Sequence, residues 1–165
     1  MPLGSRLHSW PLLLLKVTLP VYLLDQATKW AVLLNLEYGA EVPVIPGFFS
    51  LVHWRNTGAA FSFMSDSNGF FIGLSAVAVV VLLVLAALGK FSGRLSGIAW
   101  GLLLGGILGN LTDRILHGSV VDFLLFDLHV RFADPWPAFN VADSCIFIAA
   151  ALFVWESFRE PEVIR

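Results

Sequence analysis

Two stretches of this chain carry no charged residue over lengths that match a lipid bilayer: Ser67 to Gly89, 23 residues, and Leu95 to Thr112, 18 residues. A helix needs roughly 20 apolar residues to cross about 30 Å of hydrocarbon, so each run predicts a membrane-spanning helix. The rest of the chain agrees, since 58% of its 165 residues are hydrophobic and only 13% are charged. A soluble domain of this size could not keep so much apolar surface from water. Two further spans are expected at Trp10 to Leu36, despite Lys16, Asp25 and Lys29, and at Asn140 to Phe158, with Asp143 near its start. The expected fold is an α-helical integral membrane protein with four transmembrane helices and a small extracytoplasmic β-sheet. With no internal repeat or low-complexity linker, residues 1–165 read as one domain.

Charge sets the expected orientation, because short cytoplasmic loops collect Lys and Arg. Arg6, Lys90, Arg94, Arg159 and Arg165 mark one side, whereas Glu37 to Asp66 holds only Arg55. Both termini are therefore expected in the cytoplasm, with residues 37–66 and 113–138 on the outer face. Lys16 cuts short the apolar run behind Arg6 and no small-x-small cleavage site follows, so this segment reads as a retained first helix. No basic stripe suggests nucleic acid. The single Cys145 cannot form a disulfide within the monomer, and no His or Lys lies within a helical turn to activate it.

In the outer connections, Phe126, Leu128, Val130 and Phe132 alternate with Asp127, His129 and Arg131, the two-residue period of a half-buried strand. Phe48 to Trp54 is β-branched and aromatic behind the breakers Pro43, Pro46 and Gly47, which predicts a second strand. Trp30, Trp54 and Trp136 fall at outer span ends and Trp10 and Trp155 at inner ones, as interfacial anchors do. Gly93, Gly97, Gly101, Gly105 and Gly109 recur every four residues, and small residues on one face let helix backbones approach closely.

Carboxylates inside such a chain are costly, by about 2.5 to 3.5 kcal/mol each at the bilayer centre. Asp122 and Asp143 flank the break Pro135-Trp136-Pro137, which lets the chain fold back and bring them together. The dipole of the last helix would offset only part of the cost at Asp143, about 0.3 to 1 kcal/mol. Two close carboxylates cannot both ionise easily, so one keeps a proton while the other serves as a base. That pair could activate water against a carbonyl without metal or cofactor. Asn110, Asp113 and Arg114 share a helical face at the outer end of the third span, and Asn140 stands where it could cap the fourth. Asp25 and Lys29, at i and i+4, read most simply as an ion pair.

His53, His117 and His129 are scattered and form no H-E-x-x-H pattern, so no metal site is expected. Ser75 has no His in the spans to serve as its base. Two other readings stay open from the residues alone. One is a small proton-coupled transporter or channel relaying through Asp25, Asp113, Asp122 and Asp143, although no repeat or broken helix supports it. The other is a helper that binds a partner helix through the glycine seam.

Five runs, in order, carry a resemblance: Leu24 to Lys29 (LDQATK), Arg55 to Ser62 (RNTGAAFS), Gly105 to Arg114 (GGILGNLTDR), Val120 to Phe123 (VVDF) and Phe139 to Asp143 (FNVAD). Together the chain resembles the lipoprotein signal peptidase family (signal peptidase II), membrane aspartic proteases of bacteria. The resemblance implies that Asp122 and Asp143 are the catalytic dyad. It also implies that Asn56, Asn110, Arg114 and Asn140 shape and hydrogen-bond the site, and that Asp25 lines the substrate-binding region. The implied fold has four helices, a β-cradle and a helix lying on the periplasmic membrane surface. The implied partners are a diacylglyceryl-modified prolipoprotein, cut just before its lipidated Cys, and the lipid of the cytoplasmic (inner) membrane.

Overall fold

The computed structural model describes residues 10–58, 67–89, 93–130 and 136–158. Four helices appear in chain order: α1 (Trp10–Asn35), α2 (Asn68–Ala87), α3 (Arg94–His117) and α4 (Val141–Ser157). Strands β1 (Glu41–Ile45) and β2 (Phe49–Asn56) follow α1, and β3 (Val120–Phe126) follows α3. Two of the helices, α2 and α3, are long and apolar enough to cross a membrane on length and composition alone.

Helix α3 is the spine, packing against α1, α2 and α4. Its glycines explain how. A Cβ on Gly101 would lie 2.6 Å from Val17 Cβ, and one on Gly105 would lie 2.7 Å from Val21 Cγ1, so α1 sits directly on the α3 backbone. Gly106 makes the same allowance for α4, where a Cβ would meet the Ala142 carbonyl oxygen at 2.6 Å. The seam is thus helix packing, shared between two neighbours. Helix α3 also runs five residues past the expected boundary at Thr112, because Asp113 and Arg114 find protein partners. It stops at Gly118, whose left-handed φ of 72° turns the chain straight into β3.

The sheet is antiparallel with order β1-β2-β3. The strand expected at Phe48 to Trp54 is β2, in the middle. The strand expected at Phe126 to Phe132 is a correction: β3 ends where that stretch begins, and His129 has a φ of 51°, which no strand adopts. Beyond β3, Leu128 and Val130 are exposed, and residues 131 and 132 lie outside those described. Pro43, taken as a breaker, sits inside β1, which is tolerated because β1 is an edge strand. Val121 and Phe123 of β3 pack with Val32 of α1, which fixes the sheet to the helices. Among the described residues there is no separate surface helix.

Candidate active site

Three structural junctions converge at one end of the helices. The last turns of α3 supply Asn110 and Arg114, the end of β2 supplies Asn56, and the αL turn at Gly118 sends β3 back so that Asp122 arrives beside them. Helix α4 starts at the same place with Asp143 in its first turn. Asn56, Asn110, Arg114, Asp122 and Asp143 all line one cavity of about 740 Å³. Its remaining wall is apolar and includes Trp136, Pro137, Phe139, Ile146 and Phe147.

Asn140 connects the two acids from beneath. Its side-chain oxygen accepts from the Asp143 backbone N–H at 2.9 Å, and the Asp143 Oδ2 accepts from the Asn140 backbone N–H at 3.3 Å. This reciprocal cap explains why α4 begins here. The Asn140 side-chain NH₂ is then free to donate to Asp122 Oδ1 at 2.8 Å and to the Val121 carbonyl at 3.3 Å. One fully buried amide therefore sets the position of both carboxylates. Asn56 Nδ2 donates to the other oxygen of Asp122 at 3.1 Å, while its own oxygen accepts from the Gly58 backbone N–H. Asn110 Nδ2 donates to Asp143 Oδ1 at 2.7 Å.

Asp122 is only 4% exposed. Burial pushes its carboxyl up to about 7 and the neighbouring Asp143 charge adds to that, against the opposing pull of the Asn56 and Asn140 donors and the Lys29 charge. At neutral pH this group is poised between acid and base. Arg114 donates from Nη2 to the Gly58 carbonyl at 3.1 Å and lies over the Phe71 ring at 5.2 Å, which holds a cation at the cavity wall.

A second polar cluster lies behind the first. The Lys29 ammonium, 1% exposed, reaches Asp25 Oδ2 at 2.9 Å, Asp113 Oδ2 at 3.0 Å and Asn110 Oδ1 at 2.8 Å. Three donors thus meet three acceptors. The expected Asp25–Lys29 pair is present, and Asp113 joins it from α3. Asp25 itself is 0% exposed, accepts from the Ala142 backbone N–H at 2.9 Å, and is not among the residues of the cavity wall. The structure brings six of the seven expected site residues to the cavity or its floor and leaves Asp25 one layer behind.

Sequence reasoning overlooked two contributors. Gly58, whose carbonyl fixes Arg114, had a signal in its place within the Arg55 to Ser62 run. The apolar wall of Ile146 and Phe147 had none, because a cavity-facing apolar residue in a span reads like a lipid-facing one.

Residues 17–159 match the peptidase family described as signal peptidase (SPase) II. The lipoprotein signal peptidase of Neisseria meningitidis serogroup C (strain 053442) is 43% identical over 157 residues, 93% of this chain and 91% of that one. The lipoprotein signal peptidase of Aeromonas hydrophila is 46% identical over 145 residues, covering 86% and 85% of the two chains. A solved bacterial membrane enzyme superposes with a TM-score of 0.78 at 29% identity, covering 91% of this chain and 93% of its own. With a family match across nearly its full length and relatives this similar, the chain belongs to the signal peptidase II family.

Proposed function

We propose that Asp122 and Asp143 are the catalytic dyad with which this membrane protease removes the signal peptide from diacylglyceryl-modified prolipoproteins, cutting before the lipidated Cys. The observation that carries the reading is the Asn140 bridge, which holds two carboxylates on the wall of one largely apolar cavity. Asp122, raised to about 7, is the member that keeps the proton. Among the described residues Asp143 meets only N–H donors at its carboxylate, from Asn110 and the Asn140 backbone, and lies in the first turn of a helix, which suits the ionised member.

The chemistry follows from those assignments. Asp143 takes a proton from water as the water oxygen attacks the scissile carbonyl carbon, while the Asp122 proton is donated to the carbonyl oxygen. A neutral tetrahedral diol results. Its collapse breaks the C–N bond, with the Asp143 proton passing to the leaving nitrogen and the diol proton returning to Asp122. The products are a signal peptide with a new carboxyl end and a lipoprotein with a new amino end. The pair finishes in its starting state.

The apolar wall suits the lipid. Ile146 and Phe147 face the cavity from α4, and acyl chains contribute about 0.8 kcal/mol per buried CH₂, so lipid binding could position the peptide with few sequence-specific contacts. Four membrane spans in a single domain remain the best account of the outer surface. On α1, Leu15, Leu19, Leu23, Leu24 and Leu34 point outward, and on α4 Val154 and Trp155 do so. Of the charges on α1, Asp25 and Lys29 turn inward instead, as a lipid-facing helix requires of charges deep in its span, whereas Lys16, nearer the helix start, is exposed. We place the dyad at the periplasmic face of the inner membrane, with both termini cytoplasmic, from the Lys and Arg asymmetry of the loops. The transporter reading is not favoured by the family match.

The test supplies purified protein with a diacylglyceryl-modified prolipoprotein and compares wild type with Asp122→Asn and Asp143→Asn. Cleavage lost in both, with folding retained, is the expected result. Normal cutting by either variant overturns the dyad.

A further inference from the structure

We infer that Lys29 is a positioning residue for the cleavage: from the side of Asn110 away from the cavity, its ammonium fixes which end of the Asn110 amide meets Asp143. The inference rests on the dyad reading above. An ammonium has only donors to offer, so the Asn110 group at 2.8 Å from Lys29 Nζ must be the amide oxygen. The other end of the same planar amide is then an NH₂, and it meets Asp143 Oδ1 at 2.7 Å. Reversing the amide would set an oxygen against a carboxylate and an NH₂ against an ammonium. A cation on α1 therefore dictates that the base on α4 receives a donor.

The rest of the cluster keeps Lys29 in that place. Asp25 and Asp113 grip it from α1 and α3, Gln26 Nε2 donates to Asp113 Oδ1 at 3.1 Å, and the Val121 backbone N–H donates to Asp113 Oδ2 at 3.0 Å. Asp25 in turn holds the Ala142 N–H at the start of α4, one residue before Asp143. Among the described residues, the charged groups acting on the dyad are thus Lys29 and Asp25 on α1 and Arg114 on α3, with Asp113 beside Lys29 and Arg114, in addition to each other's carboxylates. Of these, Lys29 is the one cation that contacts both Asn110 and the buried acids. A plain ion pair on α1 becomes the back wall of the active site.

The experiment measures kcat, KM and the pH profile of prolipoprotein cleavage for full-length wild type, Lys29→Met, Lys29→Arg, Asn110→Ala and the double variant Lys29→Met/Asn110→Ala, each normalised to folded protein. Lys29→Met is expected to lower kcat about 100-fold with KM little changed, as loss of a productive orientation does. Its activity profile moves to higher pH, since the Lys29 charge opposes the upward shift of Asp122. Lys29→Arg, which keeps the donor and the charge, recovers most of the loss. In the Asn110→Ala background, Lys29→Met has little further effect on kcat, because the two act through one path.

If Lys29→Met alone fails to fold, Lys29→Met/Asp113→Asn, which removes one cation and one anion and leaves the cluster's net charge unchanged, carries the same expectation. A folded Lys29→Met or Lys29→Met/Asp113→Asn protein with wild-type kcat and pH profile overturns the inference, as does an undiminished loss in the Asn110→Ala background. Cleavage surviving in Asp122→Asn or Asp143→Asn would instead overturn the dyad itself, so the two failures are distinguishable.

Discussion

Two pairs of aspartates lie back to back in this protein, and only their company differs. Asp25 and Asp113 share the Lys29 ammonium at 2.9 and 3.0 Å, and both are sealed from the cavity. Asp122 and Asp143 line the cavity, and among the described residues every hydrogen bond to their carboxylates comes from an uncharged donor: Asn56, Asn110 and Asn140. An acid clamped by a buried cation is tied into the packing between helices and serves structure. An acid held only by amides and crowded by a second acid keeps a proton within reach of neutral pH and can serve chemistry. The same side chain is thus suited to opposite roles across the width of α3.

The contrast is broken most sharply by substituting one acid from each pair. Asp143→Asn is expected to lower kcat by at least about 1,000-fold in a peptide-cleavage assay while leaving the fold intact, which is the scale of a lost general base. Asp113→Ala should behave in reverse. It strands the Val121 N–H, takes one of the two carboxylates from the buried Lys29 and costs about 3 kcal/mol of stability, read as a lower unfolding temperature in detergent. Equal effects of the two on folding would erase the distinction between the pairs.

Next in size is a dependence on pH that only the open pair can show. Asp122 titrates near 7 in the folded protein against 3.8 ordinarily, so its contribution to stability is fully present below the lower value and is lost as pH rises through the higher. Asp122→Asn, which cannot ionise, should therefore be more stable than wild type at alkaline pH, with the advantage vanishing in acid. Unfolding temperatures across the pH range check this. A smaller effect is expected from Asn56→Ala. It removes a donor that favours the charged form of Asp122, so kcat should fall about tenfold and the alkaline limb of the activity profile should move to higher pH.

Much of this arrangement was legible along the chain. Uncharged runs marked α2 and α3, the i, i+4 spacing marked Asp25 with Lys29, and Asn140 showed itself as a cap three residues before Asp143. The placement of β3 was not legible, for a physical reason. Its residues Val120 to Phe123 are buried on both faces, between β2 and the helices, so the strand lacks the alternation that marks a half-exposed one. Residues 127–130 beyond it keep that alternation without continuing the strand. Asp113 joining Lys29, and Lys29 reaching Asn110, depend on the closeness of α1 and α3, which the glycine seam permits but does not specify in register. The second job of Asn140, donating to Asp122, required knowing where β3 returns.

The central claim is that the open pair holds one proton at neutral pH and that Asp122 carries it. Infrared difference spectroscopy of the protonated carboxyl stretch tests this directly, comparing wild type with Asp122→Asn through a pH titration. The expected result is a buried carboxylic-acid band in wild type that fades with a midpoint near 7 and is missing from the variant. A wild-type spectrum without that band in mildly acidic solution, or one unchanged by Asp122→Asn, would contradict the account.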